Sequence, residues 1–336
     1  MDLDTFLTTV YVIVDDWYKA ELDGRVKRRG GGKQAMTDSE VLTVALAGQW
    51  RWGVPWQSER GLVRYMQTHG RGWFPAMLGR SAFNQRVRNL WGVFVRLQQT
   101  LADWLEPTVV AYECVDCVPL RACSLAQSRR EHGHWWWWSG YGHGGTQGGA
   151  YFGDQLGMSV TRQGSITGWL VSDACVDDRW VLQALLRLRV GQSTLTLPAS
   201  SASGKNRAVN TPPSLPQPAV AAGHAFSSTY VADGGFNGAR WQTIWQDCAA
   251  TVLTPPPRNA PDAWSRPLRR WHRRLRQPIE TAFAHLTTAF SLARVRAHSR
   301  WGQLTCLAVM FAAYNLGLWL NRWHGRPLHA FSTLLC

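Results

Sequence analysis

The sequence contains little lysine and few acidic residues for its size. Only 4 of its 36 basic residues are lysine, and the 22 acidic residues leave a formal net charge of +14 over 336 residues. A chain this basic favours a polyanionic partner, either nucleic acid or an anionic membrane surface. A compositional bias towards arginine is the alternative explanation. Arginine suits a nucleic-acid partner because its planar guanidinium can donate two hydrogen bonds to one phosphate.

Paired cysteines and a secretory signal are also lacking. The seven cysteines are irregularly spaced, and the group Cys114, Cys117 and Cys123 is not followed by a second pair or by closely spaced histidines. This argues against a structural zinc site and favours reduced, cytosolic thiols. The first residues do not form the basic segment that begins a secretory signal. The apolar run 304–320 is interrupted by polar residues and is slightly short for a span of ~20 residues, so we expect a buried core helix and no membrane association.

The common nucleotide-binding motifs are missing as well. The glycine-rich segment 140–145 has no preceding strand pattern and no following helix pattern, and Gly204-Lys205 lacks the upstream glycine and the Ser/Thr of a phosphate loop. The tract Trp135–Trp138 could stack on unpaired bases, and the histidines beside it could bind a metal. Because partner ligands at a known spacing are absent, we expect a loop without direct chemistry.

The first part of the chain, residues 1 to about 105, has helical patterning. Thr37 and Glu40 have the spacing of a capping box at the start of a helix. Apolar residues at three- and four-residue steps over 83–97 predict one amphipathic helix. The opposite face of this helix carries Arg86, Arg88 and Arg96.

After Pro107 the pattern becomes that of a mixed α/β core. The segment 109–116 predicts a buried central strand, 152–172 a hairpin with a turn at 162–165, and 230–233 and 250–254 two short strands. Asp177-Asp178 is placed to cap a helix. The segment 191–229 is rich in Ser, Ala, Pro, Thr and Gly, which is typical of a long insertion with little structure.

Three isolated carboxylates stand beside apolar segments. Asp116 ends the predicted central strand, Asp233 ends another strand before two glycines, and Glu280 adjoins an apolar helical stripe. A carboxylate beside a buried face is costly unless a charge satisfies it, and a divalent cation would satisfy all three. The alternatives are a strand-end cap for Asp116, a turn residue for Asp233 and a first-turn helix carboxylate for Glu280.

The order of these motifs resembles the DDE transposases of bacterial insertion sequences. The resemblance covers about residues 35 to 320, apart from the insertion. The matching segments are Thr37-Asp38-Ser39-Glu40-Val41-Leu42, Asp116 after its strand, Tyr151-Phe152-Gly153, Asp233-Gly234-Gly235-Phe236, Thr254-Pro255-Pro256-Pro257-Arg258-Asn259, Arg276-x-x-x-Glu280 and Tyr314-Asn315-Leu316. Each motif alone is weak, and their order together is fairly specific.

The resemblance implies a ribonuclease-H-like catalytic core over residues 106–323, with a helical DNA-binding region over 1–105 and a tail over 324–336. It implies that Asp116, Asp233 and Glu280 bind two Mg²⁺ ions, with Mn²⁺ as a substitute. The reaction would be metal-dependent cleavage at the transposon ends by water, followed by attack of the freed 3′-hydroxyl on target DNA. The expected partners are double-stranded DNA, as terminal repeats and as target, and a second copy of the chain. The expected location is the cytoplasm, on the nucleoid.

The dense basic stretch before Glu280 is expected to bind DNA. It contains Arg269, Arg270, Arg273 and Arg274, and Arg276, which matches the family's arginine four residues before the glutamate. On a helix, that spacing puts Arg276 and Glu280 on one face, where the arginine could hold a phosphate.

The sequence departs from the family at several positions. Pro278 could start the helix and leave Arg276 outside it. Thr287 stands where related elements often carry lysine, and Gln155 and Gly157 stand where many carry Lys and His. Two other functions therefore remain open: a nuclease of the same fold that does not join ends, and a DNA-binding protein derived from a transposase that has lost catalysis.

Overall fold

The computed structural model describes residues 1–22, 35–106, 109–125, 128, 139–144, 149–190, 220–221, 225–257, 259–295, 297 and 299–335, and the structural statements below refer to these residues. The tract Trp135–Trp138 and most of the predicted insertion, 191–219 and 222–224, lie outside them. The helices are α1 (Leu3–Leu22), α2 (Asp38–Ala47), α3 (Glu59–Thr68), α4 (Arg80–Asn89), α5 (Trp91–Leu105), α6 (Asp178–Arg189), α7 (Ala239–Gln246), α8 (Arg266–Thr288) and α9 (Arg300–Trp323). The strands are β1 (Glu113–Cys123), β2 (Gly140–Gly144), β3 (Gly149–Thr161), β4 (Ile166–Asp173), β5 (Val220–Ala221), β6 (Thr229–Val231) and β7 (Thr251–Leu253).

The chain packs as two compact units that interleave along the sequence. The helical unit comprises Met1–Leu101, His285–Ser291 and Trp301–Cys336, and the sheet unit comprises Ala102–Ala284 and Leu292–Arg300. The sequence analysis divided the chain linearly at residues 105 and 323. Helix α9, which that division assigned to the core, packs with the helical unit.

In the helical unit one predicted helix start is confirmed and one predicted helix is divided in two. The predicted capping box is present: Thr37 Oγ1 accepts from the Glu40 backbone N–H, and the Glu40 carboxylate accepts from that of Thr37. The prediction of a single helix over 83–97 is wrong, because α4 ends at Asn89 and α5 begins at Trp91. Leu90 lies between them, and its N–H closes the last turn of α4.

Helix α9 forms the centre of the helical unit. By length and composition it could cross a membrane, the one such helix among the described residues, yet 89% of its most apolar window is buried. The predicted buried helix is therefore confirmed. Its Tyr314 packs on Phe290 and Phe331, and Trp50 packs on Phe290.

The sheet unit is an α/β arrangement around one mixed sheet. The strand order is β5-β4-β3-β1-β6-β7, with β2 paired to β3. Strands β1, β6 and β7 run parallel, and the β3 pairings with β1, β2 and β4 are antiparallel. The predicted hairpin is confirmed, since the turn between β3 and β4 is closed by the Thr161 N–H to Ser165 O bond with Gly164 at φ 87°.

Three predicted segments differ from the structure. The central strand starts at Glu113 rather than 109 and runs to Cys123, so Asp116 lies inside it. Residues 140–144, predicted as loop, form β2, and Val220–Ala221 within the predicted insertion pair with β4. Pairing between strands decides these segments, since β1 and β2 pair with β3 and Val220–Ala221 pair with β4. The pattern of a single strand does not reveal such neighbours.

The core of the sheet unit lies between β1, β6 and β7 and the helices α6 and α7. It is formed by Val115, Leu182, Leu186, Tyr230, Ala232, Phe236, Trp245, Cys248, Ala250 and Val252. Because α6 and α7 bury one apolar face each against these strands, the first turn of α6 and the loop after β6 are fixed relative to β1.

Candidate functional site

Asp116 on β1 and Asp233, two residues after the end of β6, lie at matching positions relative to these two parallel strands. In the β1–β6 pairing Cys114 stands opposite Val231, and each aspartate follows its member of that pair by two residues. Parallel strands run in the same direction, so equal offsets from a registered pair bring both residues to the same level of the sheet. The two predicted carboxylates therefore converge, although they are far apart in sequence.

The Asp116 carboxylate is largely buried and makes two hydrogen bonds. Its Oδ1 accepts from the Cys117 backbone N–H at 2.8 Å, and its Oδ2 accepts from Arg276 Nη2 at 2.6 Å. Burial raises the pKa of Asp116 to about 6, and the charges of Asp233 and Asp178 add to the rise, while the Arg276 guanidinium opposes it. Burial is therefore the main reason that the ionised form of Asp116 is disfavoured, and the ion pair with Arg276 offsets it only in part.

The Asp233 carboxylate serves a turn at the end of β6. Its Oδ1 accepts from the Gly235 N–H at 2.8 Å and caps the short 3₁₀ helix Gly234–Phe236. The sequence analysis named this turn role as the alternative for Asp233. The turn does not exclude a second role, because the carboxylate has further lone pairs and its charge raises the pKa values of Asp116 and Asp178.

Arg276 and Glu280 lie on one helix, so the expectation that Pro278 starts the helix is wrong. Helix α8 runs through Pro278 from Arg266 to Thr288, and the Arg276 Nη1 to Glu280 Oε1 distance is 3.8 Å. Arg276 therefore contacts both Asp116 and Glu280. The Glu280 side chain is 46% exposed, against 20% for Asp116, so Glu280 lies at the rim of the group.

The other predicted DNA-binding arginines also lie on α8. Arg270, Arg273 and Arg274 are exposed and share one face, whereas Arg269 is half-buried and donates from Nε to the Trp264 carbonyl at 2.9 Å. The structure thus leaves three predicted arginines in solvent and uses Arg269 and Arg276 for contacts within the protein.

A buried ionic network connects strands β1 and β6 with helix α6 inside the sheet unit. Glu113 and Arg189 form a 2.8 Å ion pair with side chains that are 0% and 1% exposed. Arg189 also donates to the Tyr230 hydroxyl, and Glu113 Oε1 accepts from the N–H groups of Phe226 and Ser227. The network joins the start of β1, the end of α6 and β6. Asp116 lies on β1, Asp178 lies on α6, and Asp233 lies in the turn after β6.

The sequence analysis missed Asp178 as a member of this group. Asp177 caps α6 by accepting from the Arg179 N–H, as predicted, while Asp178 Oδ1 accepts from Gln155 Nε2 on β3. Burial raises the pKa of Asp178, and the charge of Asp233 adds to it. The adjacent Asp-Asp pair concealed this difference, since both residues are typical of a helix start.

His272 was also missed. It is buried on α8, and its Nε2 lies 3.3 Å from the Leu253 carbonyl oxygen. Burial lowers its pKa, the Arg276 charge lowers it further, and the hydrogen bond and the Asp233 charge oppose the change. Only the pairing of α8 with β7 could have revealed this position.

The carboxylate side chains of this group have the chemistry to bind a divalent cation. They offer carboxylate oxygens, the ligands that Mg²⁺ and Mn²⁺ prefer, and the repulsion between them is unfavourable without a cation. Beside Asp178, the buried Gln155 Oε1 has no hydrogen-bond partner. Within the described ranges, no three His, Cys, Asp or Glu side chains are positioned to hold one ion. The Asp116 carboxylate is paired with Arg276 instead.

Comparisons of the chain with models of protein families, with curated proteins and with solved structures found no match.

Proposed function

We propose that this protein is an insertion-sequence transposase that cleaves DNA strands at transposon ends and transfers them into target DNA. The observation that carries the proposal is the convergence of Asp116 and Asp233 on parallel neighbours with Arg276 bound to Asp116. The ribonuclease-H-like fold and the helical DNA-binding region belong to the same proposal, and the mixed sheet with flanking helices supports them.

Asp116, Asp233 and Glu280 would hold Mg²⁺ or Mn²⁺, two ions in the proposed reaction. A divalent cation supplies positive charge at the reacting phosphate and activates the attacking oxygen. The carboxylates provide the negative charge that retains it. Arg276 holds Asp116 and Glu280 together, and it is placed to exchange one of these contacts for a DNA phosphate.

The substrate would be bound through its phosphates. The net charge of +14 and the exposed arginines of α8 favour double-stranded DNA, both terminal repeats and target. Water would attack first and free a 3′-hydroxyl, which then attacks the target strand. Two ends must meet for joining, so we propose a homodimer on DNA, in the cytoplasm and on the nucleoid.

One observation favours a second function. Arg276 forms an ion pair with Asp116 in the place where a cation would bind, as expected of a protein that retains DNA binding and has lost catalysis. A nuclease of the same fold that does not join ends is the third possibility, and a strand-transfer assay with pre-cut ends separates it from the transposase.

The test is cleavage of a plasmid that carries the DNA flanking the gene, with Mg²⁺ or Mn²⁺. We expect metal-dependent cutting at the ends that Asp233→Asn and Glu280→Gln abolish and that Asp247→Asn, an exposed carboxylate after α7, preserves. Equal cutting by all variants would contradict the proposed site. DNA binding without cutting by the wild type would support the inactive DNA-binding protein.

A further inference from the structure

Helix α4 is attached to the helical unit through one side and both flanks of that side. Phe83, in its first turn, is buried. On one flank Asn84 Nδ2 donates to the Glu59 carboxylate of α3 at 2.8 Å, and on the other flank Arg86 donates to the Asp38 carboxylate of α2. At 3.6 residues per turn, Asn84 and Arg86 stand on either side of Phe83. These contacts therefore fix the rotation of α4 about its own axis.

The opposite side of α4 carries polar side chains that the helical unit does not use. This outer face of α4 is formed by Ser81, Gln85, Arg88 and Asn89. Ser81, Gln85 and Asn89 are exposed and recur every four residues, which puts them in one line along the helix. Within the described part of the chain, the side-chain hydrogen bonds of α4 come from Asn84 and Arg86 instead. The outer face is thus free to bind a partner.

The surroundings of the outer face are basic. Residues 59–89 contain six arginines and a single acidic residue, Glu59, which already accepts from Asn84. Arg60 and Arg64 on α3 are exposed. Helix α1, by contrast, carries four acidic residues and one lysine. The charge at α3 and α4 therefore complements a polyanion, and the charge of α1 does not.

The residue types of the outer face match the edges of DNA bases. Glutamine and asparagine can make paired hydrogen bonds to adenine, arginine can make them to guanine, and the major groove is wide enough for an α-helix. From Ser81 to Asn89 the helix rises roughly 12 Å, at 1.5 Å per residue. That length corresponds to about three or four base pairs, at 3.4 Å each. The outer face therefore has the length and the chemistry to follow a short base sequence.

We propose that α4 enters the major groove of double-stranded DNA and that Gln85 and Asn89 contact base edges there. The inference rests on the proposed function, since it names the helix that would recognise the transposon ends. Exposed arginines of α3 would contact phosphates, which supply affinity without sequence preference. Sequence recognition and general affinity are thus assigned to different side chains of the helical unit.

The test begins with selection of duplexes from a random-sequence library by the full-length protein. Fluorescence anisotropy then gives the Kd for a selected duplex and for a shuffled one, and we expect the wild type to prefer the selected duplex by at least about 100-fold. The double variant Gln85→Ala and Asn89→Ala should lower this preference by about tenfold or more, because it removes contacts to base edges. Its Kd for the shuffled duplex should change less than about twofold, because phosphate contacts dominate that binding.

A second double variant is the matched control. Gln57→Ala and Gln246→Ala together remove two exposed amides outside α4 and should leave the preference unchanged. Thermal unfolding checks that both double variants are folded, which we expect because every replaced side chain is exposed.

Three results would overturn the inference. The first is an unchanged preference in the α4 variant, and the second is an equal weakening of its binding to both duplexes. The third is failure of the wild type to select any duplex sequence, as expected of a protein or RNA partner or of binding through phosphates alone. Plasmid cleavage separates the two proposals: cleavage by the wild type with an unchanged preference in the α4 variant contradicts the role of α4 alone. A preference that depends on α4, without wild-type cleavage, supports α4 and contradicts the transposase.

Discussion

Asp116 is a residue whose charge opposes folding when no cation is present. Its pKa in the folded protein is about 6, against 3.8 for an unperturbed aspartate, because burial and the neighbouring aspartates disfavour the ionised form. A raised pKa means that the stability present below pH 3.8 is lost as the pH rises through 6. At neutral pH the protein is therefore strained at this position until positive charge compensates it.

Replacing Asp116 with Asn should stabilise the cation-free protein at pH 8. The expected gain in the free energy of unfolding is roughly 3 kcal/mol, since the pKa rises from 3.8 to about 6 and each pKa unit corresponds to about 1.4 kcal/mol. The gain should shrink between pH 6 and pH 4 as the wild-type carboxyl becomes protonated. Urea unfolding in EDTA at pH 4, 6 and 8 measures it.

Asp177→Asn provides a control of opposite sign. Its hydrogen bond from Arg179 lowers the pKa of Asp177, so this carboxylate stabilises the fold above pH 3.8 and the benefit disappears as the pH falls. The Asn variant should be less stable than the wild type at pH 8. A wild type more stable than Asp116→Asn at pH 8 would contradict the argument.

Two glycines should respond oppositely to alanine. A Cβ at Gly153 on β3 would lie 2.0 Å from the Leu120 carbonyl oxygen, whereas one at Gly92 on α5 would meet nothing within 4 Å. Gly153→Ala should destabilise the protein by roughly 1–3 kcal/mol. Gly92→Ala should stabilise it by roughly 0.5–1 kcal/mol. Urea unfolding of both variants checks the pair, and a stable Gly153→Ala would show that β1 and β3 can separate there.

Local chemistry made some elements predictable. The capping box at Thr37 and the hairpin turn at Gly164 depend on residues within four positions of each other, and both are present. The start of β1 and the continuation of α8 through Pro278 depend on packing across the unit, and both predictions were wrong. A proline in a helix costs about 3 kcal/mol, which tertiary contacts of the flanking turns can exceed.

The candidate site likewise contains residues that the local sequence reveals and one that only packing reveals. Asp116 and Asp233 were identifiable because each follows a short apolar segment, and the sheet register then brings them together. Asp178 was not identifiable, since its neighbour Asp177 has the same capping propensity and only the hydrogen bond from Gln155 distinguishes them. A single sequence does not encode that contact in any local pattern.

The ion pair between Glu113 and Arg189 ties three elements together and should be costly to break. Arg189→Met leaves the Glu113 carboxylate buried without its partner, and the expected loss is about 3–5 kcal/mol. Adding Glu113→Gln removes that uncompensated charge, so the double variant should be more stable than Arg189→Met alone. Urea unfolding of the wild type, both single variants and the double variant gives the coupling energy between the two residues. Losses of stability that simply add would show that the residues are not coupled.

At the scale of the whole molecule, the division into units does not follow the order of the chain. The sheet unit is interrupted by His285–Ser291, and α9 closes the helical unit that α1 begins. The interrupted apolar run 304–320 predicted that α9 is buried, but not which residues it packs against. A division of the chain into consecutive domains therefore cannot describe α8, which carries Glu280 in the sheet unit and ends in the helical unit.

The charge of the whole molecule leads to the last prediction. If DNA is bound along the exposed face of α8, Arg270, Arg273 and Arg274 neutralise phosphates there. Replacing all three with Gln should reduce the slope of log K against log [salt] by about 2–3, because each lost phosphate contact removes about 0.9. Fluorescence anisotropy with a labelled duplex at several salt concentrations measures the slope.

The control removes the same charge from scattered exposed positions. Arg121, Arg240 and Arg322 are exposed on β1, α7 and α9, and replacing them with Gln lowers the net charge equally. For this control variant the slope of log K against log [salt] should change by less than about 1, because counterion release requires direct contact with phosphates rather than net charge alone. Equal changes in both triple variants would indicate that DNA binds to the basic surface as a whole and that α8 does not orient it towards Asp116 and Asp233.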